Sequence, residues 1–401
     1  MNVLFVSNQA SLTGAPLLLL WLVKWLRANT DYKISVVLMA EGPLQEDFAE
    51  LCDTYTLPSK PMYQPLHKRI LKAFNRNDGR NASSFLARHI HSFQPDILYL
   101  NTLVLGKYLG QALQQANYKI ISHAHELDVT LNTLANPQDV SRQINSSTAL
   151  ICCAQCIGSN LRKNYTIDSS ISMPTVYEYL PYSSEKELSK SLIIKEEHQD
   201  CMDKIRQAKH DDTFIFGSIG QPIARKGFDL FPLLVREALQ CFKGQKFLAV
   251  WIGCSEHADL TQYIRNDLER MGLSEYVILV EPLRSILPIL REFDVFTLLS
   301  REDPFPLVVL EAAALGIPAL CFQNSGGMTE FISKECCVEY LDLASMAKEL
   351  LRLSVNPNIR KELGEASRQK VFRNHTLASG TGEKILSIIQ SVSSQRQQGI
   401  H

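Results

Sequence analysis

Short apolar runs alternate with longer amphipathic or apolar stretches along most of the chain. In the first half the strand-like runs fall at residues 2–6, 33–39, 96–100, 119–122 and 149–153. Helix-like stretches lie between them, at residues 15–27, 84–93, 103–117 and 138–146. Pro16 sits near the start of the first, where proline is tolerated. The rhythm breaks at 177–207, which is rich in Lys, Glu, Ser and His and reads as a linker followed by a polar surface helix. It resumes with strands predicted at 213–219, 246–252, 276–280, 294–299 and 318–322, and helices at 230–241, 260–271, 307–315 and 346–353. Strands that are apolar on both faces, separated by helices, predict parallel sheets covered on both sides. The expectation is an α/β protein with two tandem Rossmann-like domains facing across a cleft, at 1–185 and 186–376. A helical tail, 377–401, with a helix near 382–391, follows them.

Composition narrows the class. With 45% hydrophobic and 21% charged residues, the chain is an ordinary globular one rather than a disordered one. Lys and Arg number 41 against 42 Asp and Glu, a balance that argues against a nucleic-acid-coating protein. The apolar run 15–26 is interrupted by Lys24 and is short for a membrane span, so a buried helix is expected. No charged segment precedes the first apolar run, so no signal peptide is read and a cytoplasmic setting is expected. Ten cysteines then read as thiols. Cys152, Cys153 and Cys156 form a tight cluster, but one Cys-x-x-Cys is a weak zinc signal, and buried thiols are the expected reading.

Ligands of doubly wound sheets bind beyond the carboxyl ends of the strands, so the loops there carry the chemistry. The most informative is Ser300-Arg301-Glu302-Asp303-Pro304-Phe305-Pro306-Leu307-Val308, running into a helix that contains Glu311. Free N–H groups of Leu307 and Val308 at a helix start favour an anion. Asp303 and Glu311 can accept hydroxyl hydrogen bonds from a ribose and a sugar. A competing reading makes Asp303 a helix cap and Glu311 a solvated helix residue. The loop Gly220-Gln221-Pro222-Ile223-Ala224-Arg225-Lys226-Gly227 has glycines for close approach, and Arg225 and Lys226 to neutralise a diphosphate. Ser122-His123-Ala124-His125-Glu126 places two histidines at a strand end, either as a metal pair lacking an evident third ligand or as a proton-handling group. Gly14 opens a helix without the G-x-G-x-x-G spacing, which disfavours a nicotinamide cofactor. Gly326 and Gly327, ahead of Glu330, read either as a tight, ligand-facing turn or as a plain loop.

In this order the motifs resemble those of the retaining glycosyltransferases called group 1 or family 4, which have the GT-B architecture. The family's paired glutamates, with seven residues between them, appear here as Asp303 and Glu311. The run Pro304-Phe305-Pro306-Leu307-Val308-Val309-Leu310-Glu311-Ala312 looks like the family's Gly-Phe-Gly-Leu-Val-Leu-Leu-Glu-Ala. The resemblance implies that Glu311 binds the ribose, Asp303 the donor sugar and Lys226 the diphosphate. Gln221 stands at the family's usual Arg, and Arg225 is the neighbouring substitute. It implies His125 as a catalytic histidine beside Asp303 and Lys226. It also implies donor contacts from Gly14, Gly220, Arg225, Phe305, Pro306, Leu307, Val308, Gly326 and Gly327. The family usually works without a metal, and no cofactor is expected beyond a UDP- or GDP-linked sugar as substrate. The expected activity is hexosyl transfer, with retention, to a glycan or lipid-linked acceptor. A nucleotide-sugar epimerase and a non-catalytic nucleotide-binding protein remain open alternatives. The basic segment 58–81, with Lys60, His67, Lys68, Arg69, Lys72, Arg76 and Arg80, reads either as a mobile loop or as a peripheral contact to anionic lipid. In this architecture the tail helix commonly packs back on the first domain.

Overall fold

A computed structural model describes residues 1–58, 75–110 and 118–394, without the side chains of 75–80. The chain divides into two compact units, residues 1–178 with 380–401, and residues 179–379. Each is built on one six-stranded sheet, and every strand pair is parallel. The first contains β1 (Asn2–Ser7), β2 (Lys33–Leu38), β3 (Asp53–Thr56), β4 (Ile97–Leu100), β5 (Lys119–Ala124) and β6 (Ala149–Cys152). The second contains β7 (Phe214–Ile219), β8 (Phe247–Ile252), β9 (Val277–Val280), β10 (Val295–Leu298), β11 (Ala319–Phe322) and β12 (Cys337–Val338).

The strand orders are β3-β2-β1-β4-β5-β6 and β12-β11-β10-β7-β8-β9. Both are one doubly wound order, with the winding direction reversing between β1 and β4 and between β7 and β10. Crevices for ligands open beyond the strand ends at such reversals. The loop after β7 and the loop after β10 therefore flank the switch point of the second sheet.

The strands are apolar because helices cover them. In the first unit Leu4, Val6, Leu98 and Leu100 pack against Leu86, Ile90, Leu105 and Leu109. In the second unit Trp251 of β8 is 1% exposed and meets the rings of Phe228 and Phe231. Its indole N–H donates to the Gly220 carbonyl at 2.9 Å, which ties the loop after β7 to the core.

The ten strands expected from apolar runs are present, with ends shifted by a few residues. Two edge strands were not foreseen. β3 is polar (Asp-Thr-Tyr-Thr) and β12 has two residues, so neither makes an apolar run. The helix Pro357–Asn374 was also missed, since it buries only Gly364 and Val371. Two expectations need correction. The stretch predicted as a helix over 103–117 begins as a 3-10 turn, Leu103–Tyr108. Thr102 caps it, and Gly106 lies so close to the chain that a Cβ there would sit 2.1 Å from the Asp139 carbonyl oxygen. Residues 111–117 lie outside the described residues. The expected polar surface helix is Gln199–His210, and it buries Cys201, Met202 and Ile205 along one side.

The tail helix Thr381–Ser394 belongs to the first unit. A Cβ at Gly382 would stand 2.5 Å from the Trp25 ring, and Lys384 donates to the Thr175 carbonyl. Of the basic segment, residues 59–74 lie outside the described residues. Arg76 and Arg80 fall in the helix Asn75–Phe93 rather than in a loop.

Candidate functional site

The two loops at the β7/β10 switch point are joined at several points. Lys226 Nζ donates to Asp303 Oδ2 at 2.5 Å, and Ser300 Oγ donates to the same oxygen at 3.0 Å. Asp303 is 5% exposed. Arg225 Nη1 donates to the Glu302 carbonyl at 2.9 Å. The Arg301 backbone N–H donates to the Arg225 carbonyl at 2.8 Å. The Arg301 guanidinium grips both oxygens of Asp229, at 2.8 and 2.7 Å, and also donates to the Ala224 carbonyl. Gly227 makes the approach workable. It has φ +76°, and a Cβ would stand 2.0 Å from the Leu299 carbonyl oxygen. Gly220 lies against the Lys226 stem, where a Cβ would contact Cγ at 3.4 Å.

Asp303 also pairs with the next loop. Its N–H donates to the Ser325 carbonyl at 2.7 Å, and it forms a bridge with Gly326. Gly326 has φ +131°, and a Cβ would fall 1.8 Å from the Asp303 carbonyl oxygen, so only glycine fits. The Gly327 N–H donates to the Pro304 carbonyl at 2.9 Å. Asp303 is thus an ion-paired residue and not a helix cap. Pro306 occupies the cap of the helix Leu307–Ala314, with no side-chain cap bond.

Glu311 lies one turn into that helix, whose other residues are almost all buried. Its carboxylate makes no hydrogen bond or ion pair among the described residues. Burial pushes its carboxyl up to about 8. Glu311 itself is half-buried. Phe305 is 2% exposed and stacks on His375 and edge-on to Phe331. Its ring serves the core, so its contact with a ligand would be through the backbone. Pro306 and Leu307 are buried, and Val308 is half-buried.

In the first unit, Gly14 is the first residue of the helix Gly14–Asn29, which has no acidic residue in its first turn. His123 is the penultimate residue of β5 and His125 lies just beyond the strand, with ring centroids 4.0 Å apart. His123 Nδ1 shares a 2.8 Å hydrogen bond with the Tyr99 hydroxyl. Burial, with His125 nearby, holds the His123 imidazole well below its ordinary value. His125 Nδ1 lies 2.9 Å from Glu178 Oε1. Burial alone would depress the His125 imidazole, but the charge and hydrogen bond of Glu178, helped by Glu126, outweigh it and raise the value. The buried Glu126 accepts from the N–H groups of His125 and Leu103 and from the Thr102 hydroxyl. The Nε2 atoms of both histidines are buried without a hydrogen-bond partner among the described residues.

The structure brings Lys226, Arg225, Gly220, Asp303, Gly326 and Gly327 together as one set in the second unit. His125 and Gly14 belong to the first unit. Sequence reasoning missed Arg301, Asp229 and Glu178. Arg301 adjoins a recognised motif, but nothing local pairs it with Asp229, 72 positions away.

Residues 212–356 match the family model described as Glycosyl transferases group 1. No curated protein matches the chain by sequence. Among solved structures it is similar to a sucrose-phosphate synthase from Thermosynechococcus elongatus (TM-score 0.77, 16% identity, 98% of this chain and 99% of that one). A Rickettsia africae glycosyltransferase aligns with TM-score 0.74 and 16% identity over 98% and 99% of the two chains. Anabaena HepE in complex with UDP-glucose does so with TM-score 0.74 and 16% identity over 98% and 100%. The fold is the two-Rossmann GT-B fold of glycosyltransferases. The family match lies within the second unit, and the likeness to the solved structures extends over both.

If the Arg301–Asp229 pair holds the Lys226 loop, Arg301→Ala should raise the donor KM several-fold and change kcat less. The charge-swapped double variant Asp229→Arg/Arg301→Asp should recover part of that loss. Steady-state kinetics on the three proteins checks this, and an unchanged KM in the single variant would remove the loop-holding role. The pair is about a third exposed, so its own contribution to stability is small, about 1 kcal/mol or less.

Proposed function

We propose that this protein transfers a hexose-type sugar from a UDP- or GDP-linked donor to a hydroxyl of a glycan or lipid-linked acceptor, with retention at the anomeric carbon. The observation that carries this reading is the Lys226–Asp303 pair at the switch point of the second sheet, next in sequence to a helix bearing the unpartnered Glu311. Lys226 and Arg225 supply positive charge for the departing diphosphate. Its charge grows as the sugar bond breaks, so fixed cations lower the barrier. Glu311 has acceptor capacity unused within the protein and suits the paired hydroxyls of a ribose. Asp303, held by Lys226 and Ser300, offers its remaining lone pairs to a sugar hydroxyl. His125 of the first unit, oriented through Nδ1 by Glu178, can present a hydrogen bond from Nε2 to a reacting group. No step in this reading requires a metal ion. Work at the cytoplasmic face of a membrane suits a lipid-linked acceptor, and no described helix is long and apolar enough to cross one.

Thermal unfolding with UDP, GDP, ADP, CMP and NAD, with and without EDTA, tests the reading. One nucleoside diphosphate should stabilise the wild type by about 2.7 kcal/mol at a hundred times its dissociation constant. The increment should be the same with EDTA and absent in Glu311→Ala. No shift with any nucleotide would remove the donor-site reading. Incubation of a nucleotide sugar without acceptor separates transfer from epimerisation, because only an epimerase converts the donor sugar and leaves it on the nucleotide.

A further inference from the structure

Two strand ends and a returning segment of the first unit bring together an imidazole, a thiol and a carboxylate. His125 follows β5, and Cys153 follows β6. Glu178 ends a returning segment in which the Val176 N–H donates to the Cys152 carbonyl at 2.9 Å. One ligating atom from each residue lies within 4.8 Å of the others. The cluster is interior: Cys153 is 0% exposed and Glu178 6%. We propose that His125, Cys153 and Glu178 form a binding site for one thiophilic divalent cation of the zinc type.

The donor set selects the ion. Magnesium and calcium take oxygen ligands, whereas zinc takes imidazole nitrogen, thiolate sulfur and carboxylate oxygen, often three from the protein and a fourth from water. The ion's bond to sulfur forms as the thiol proton of Cys153 leaves for solvent, because the thiolate is the ligand. The surroundings are already built. The His125 backbone N–H donates to Glu126, whose carboxylate also accepts from Thr102 and Leu103. An ion at one imidazole nitrogen fixes the ring, as outer-shell anchoring does at metal sites generally. A second observation also points to a missing partner. The His125 ring is buried, yet its Nε2 has no hydrogen-bond partner among the described residues, a condition rare for interior polar atoms. The proposal concerns the first unit alone and does not rest on the glycosyl-transfer reading; with the ion bound, His125 and Glu178 serve it in place of their mutual hydrogen bond, so the two roles of His125 are exclusive.

The test uses the full chain, stripped with chelator and titrated with Co²⁺. One equivalent should bind, with a thiolate-to-cobalt charge-transfer band that zinc displaces. Cys153→Ser should abolish the band, and Glu178→Gln should weaken cobalt binding at least tenfold. A Cys321→Ser/Cys337→Ser variant should retain both. X-ray absorption of the zinc-loaded wild type should show one sulfur among otherwise lighter ligands, a readout independent of how the variants fold. Absence of stoichiometric binding, two or more sulfur ligands, or a band lost in the Cys321/Cys337 variant but kept in Cys153→Ser would overturn the site.

Discussion

Lys226→Ala should lower sugar transfer by about 10²–10³ in kcat/KM and also weaken the fold. The catalytic part follows from removing a fixed cation aimed at developing negative charge, which typically costs that much. The structural part follows from what the lysine leaves behind. Asp303 is 5% exposed, and its Oδ2 would keep only the Ser300 hydroxyl of its two side-chain donors. Stranding a buried carboxylate costs about 3–5 kcal/mol. The Lys226 side chain is 19% exposed, so water can partly replace it, and the lower end is expected. The two effects separate in a second variant. Lys226→Met with Asp303→Asn removes both charges and should recover most of the stability but none of the activity. Urea unfolding and donor kinetics measure each. Transfer within threefold of wild type in Lys226→Ala would remove Lys226 from the reaction.

Glu311 should make nucleotide binding and stability depend on pH in opposite directions. Its carboxyl is raised from 4.5 to about 8 by burial. Between those values the folded protein holds a proton that the unfolded chain has lost. Stability therefore falls as pH rises through that window, and it levels off above about 8. The full shift corresponds to at most about 5 kcal/mol. Glu311→Gln should lack this slope and exceed the wild type in stability at pH 8. Binding has the other sign. Ribose hydroxyls donate to the ionised form, so the bound state favours the carboxylate, and the nucleotide should bind more tightly toward pH 8. Near pH 7, binding should release a proton, which calorimetry in buffers of different ionisation enthalpy detects. A heat of binding independent of buffer, with parallel stability profiles for wild type and Glu311→Gln, would contradict this account.

The apolar runs made the layered α/β class readable, because strands covered on both faces cannot carry polar alternation. The loops after those strands were readable for the same reason, and so was the resemblance they carry. Short or polar edges such as β3 and β12 were not, since an edge strand is chosen by its neighbour's free hydrogen-bonding groups rather than by its own pattern. Residue type and spacing placed Lys226, Asp303 and Glu311 in candidate loops. Their chemical states came from packing. Asp303 reads equally well as a helix cap until Lys226, 77 positions away, is found on it. Glu311 reads as a solvated helix residue until it proves half-buried among buried neighbours, its carboxyl without a partner among the described residues. His125 has Glu178 at a separation of 53, and Arg301 has Asp229 at 72. By itself the sequence determined the elements, the class and the residues able to do chemistry, because these depend on local periodicity and composition. The tertiary structure decided which of them meet and which are desolvated. Strand order sets those contacts, and a doubly wound sheet places side by side loops that the chain holds far apart.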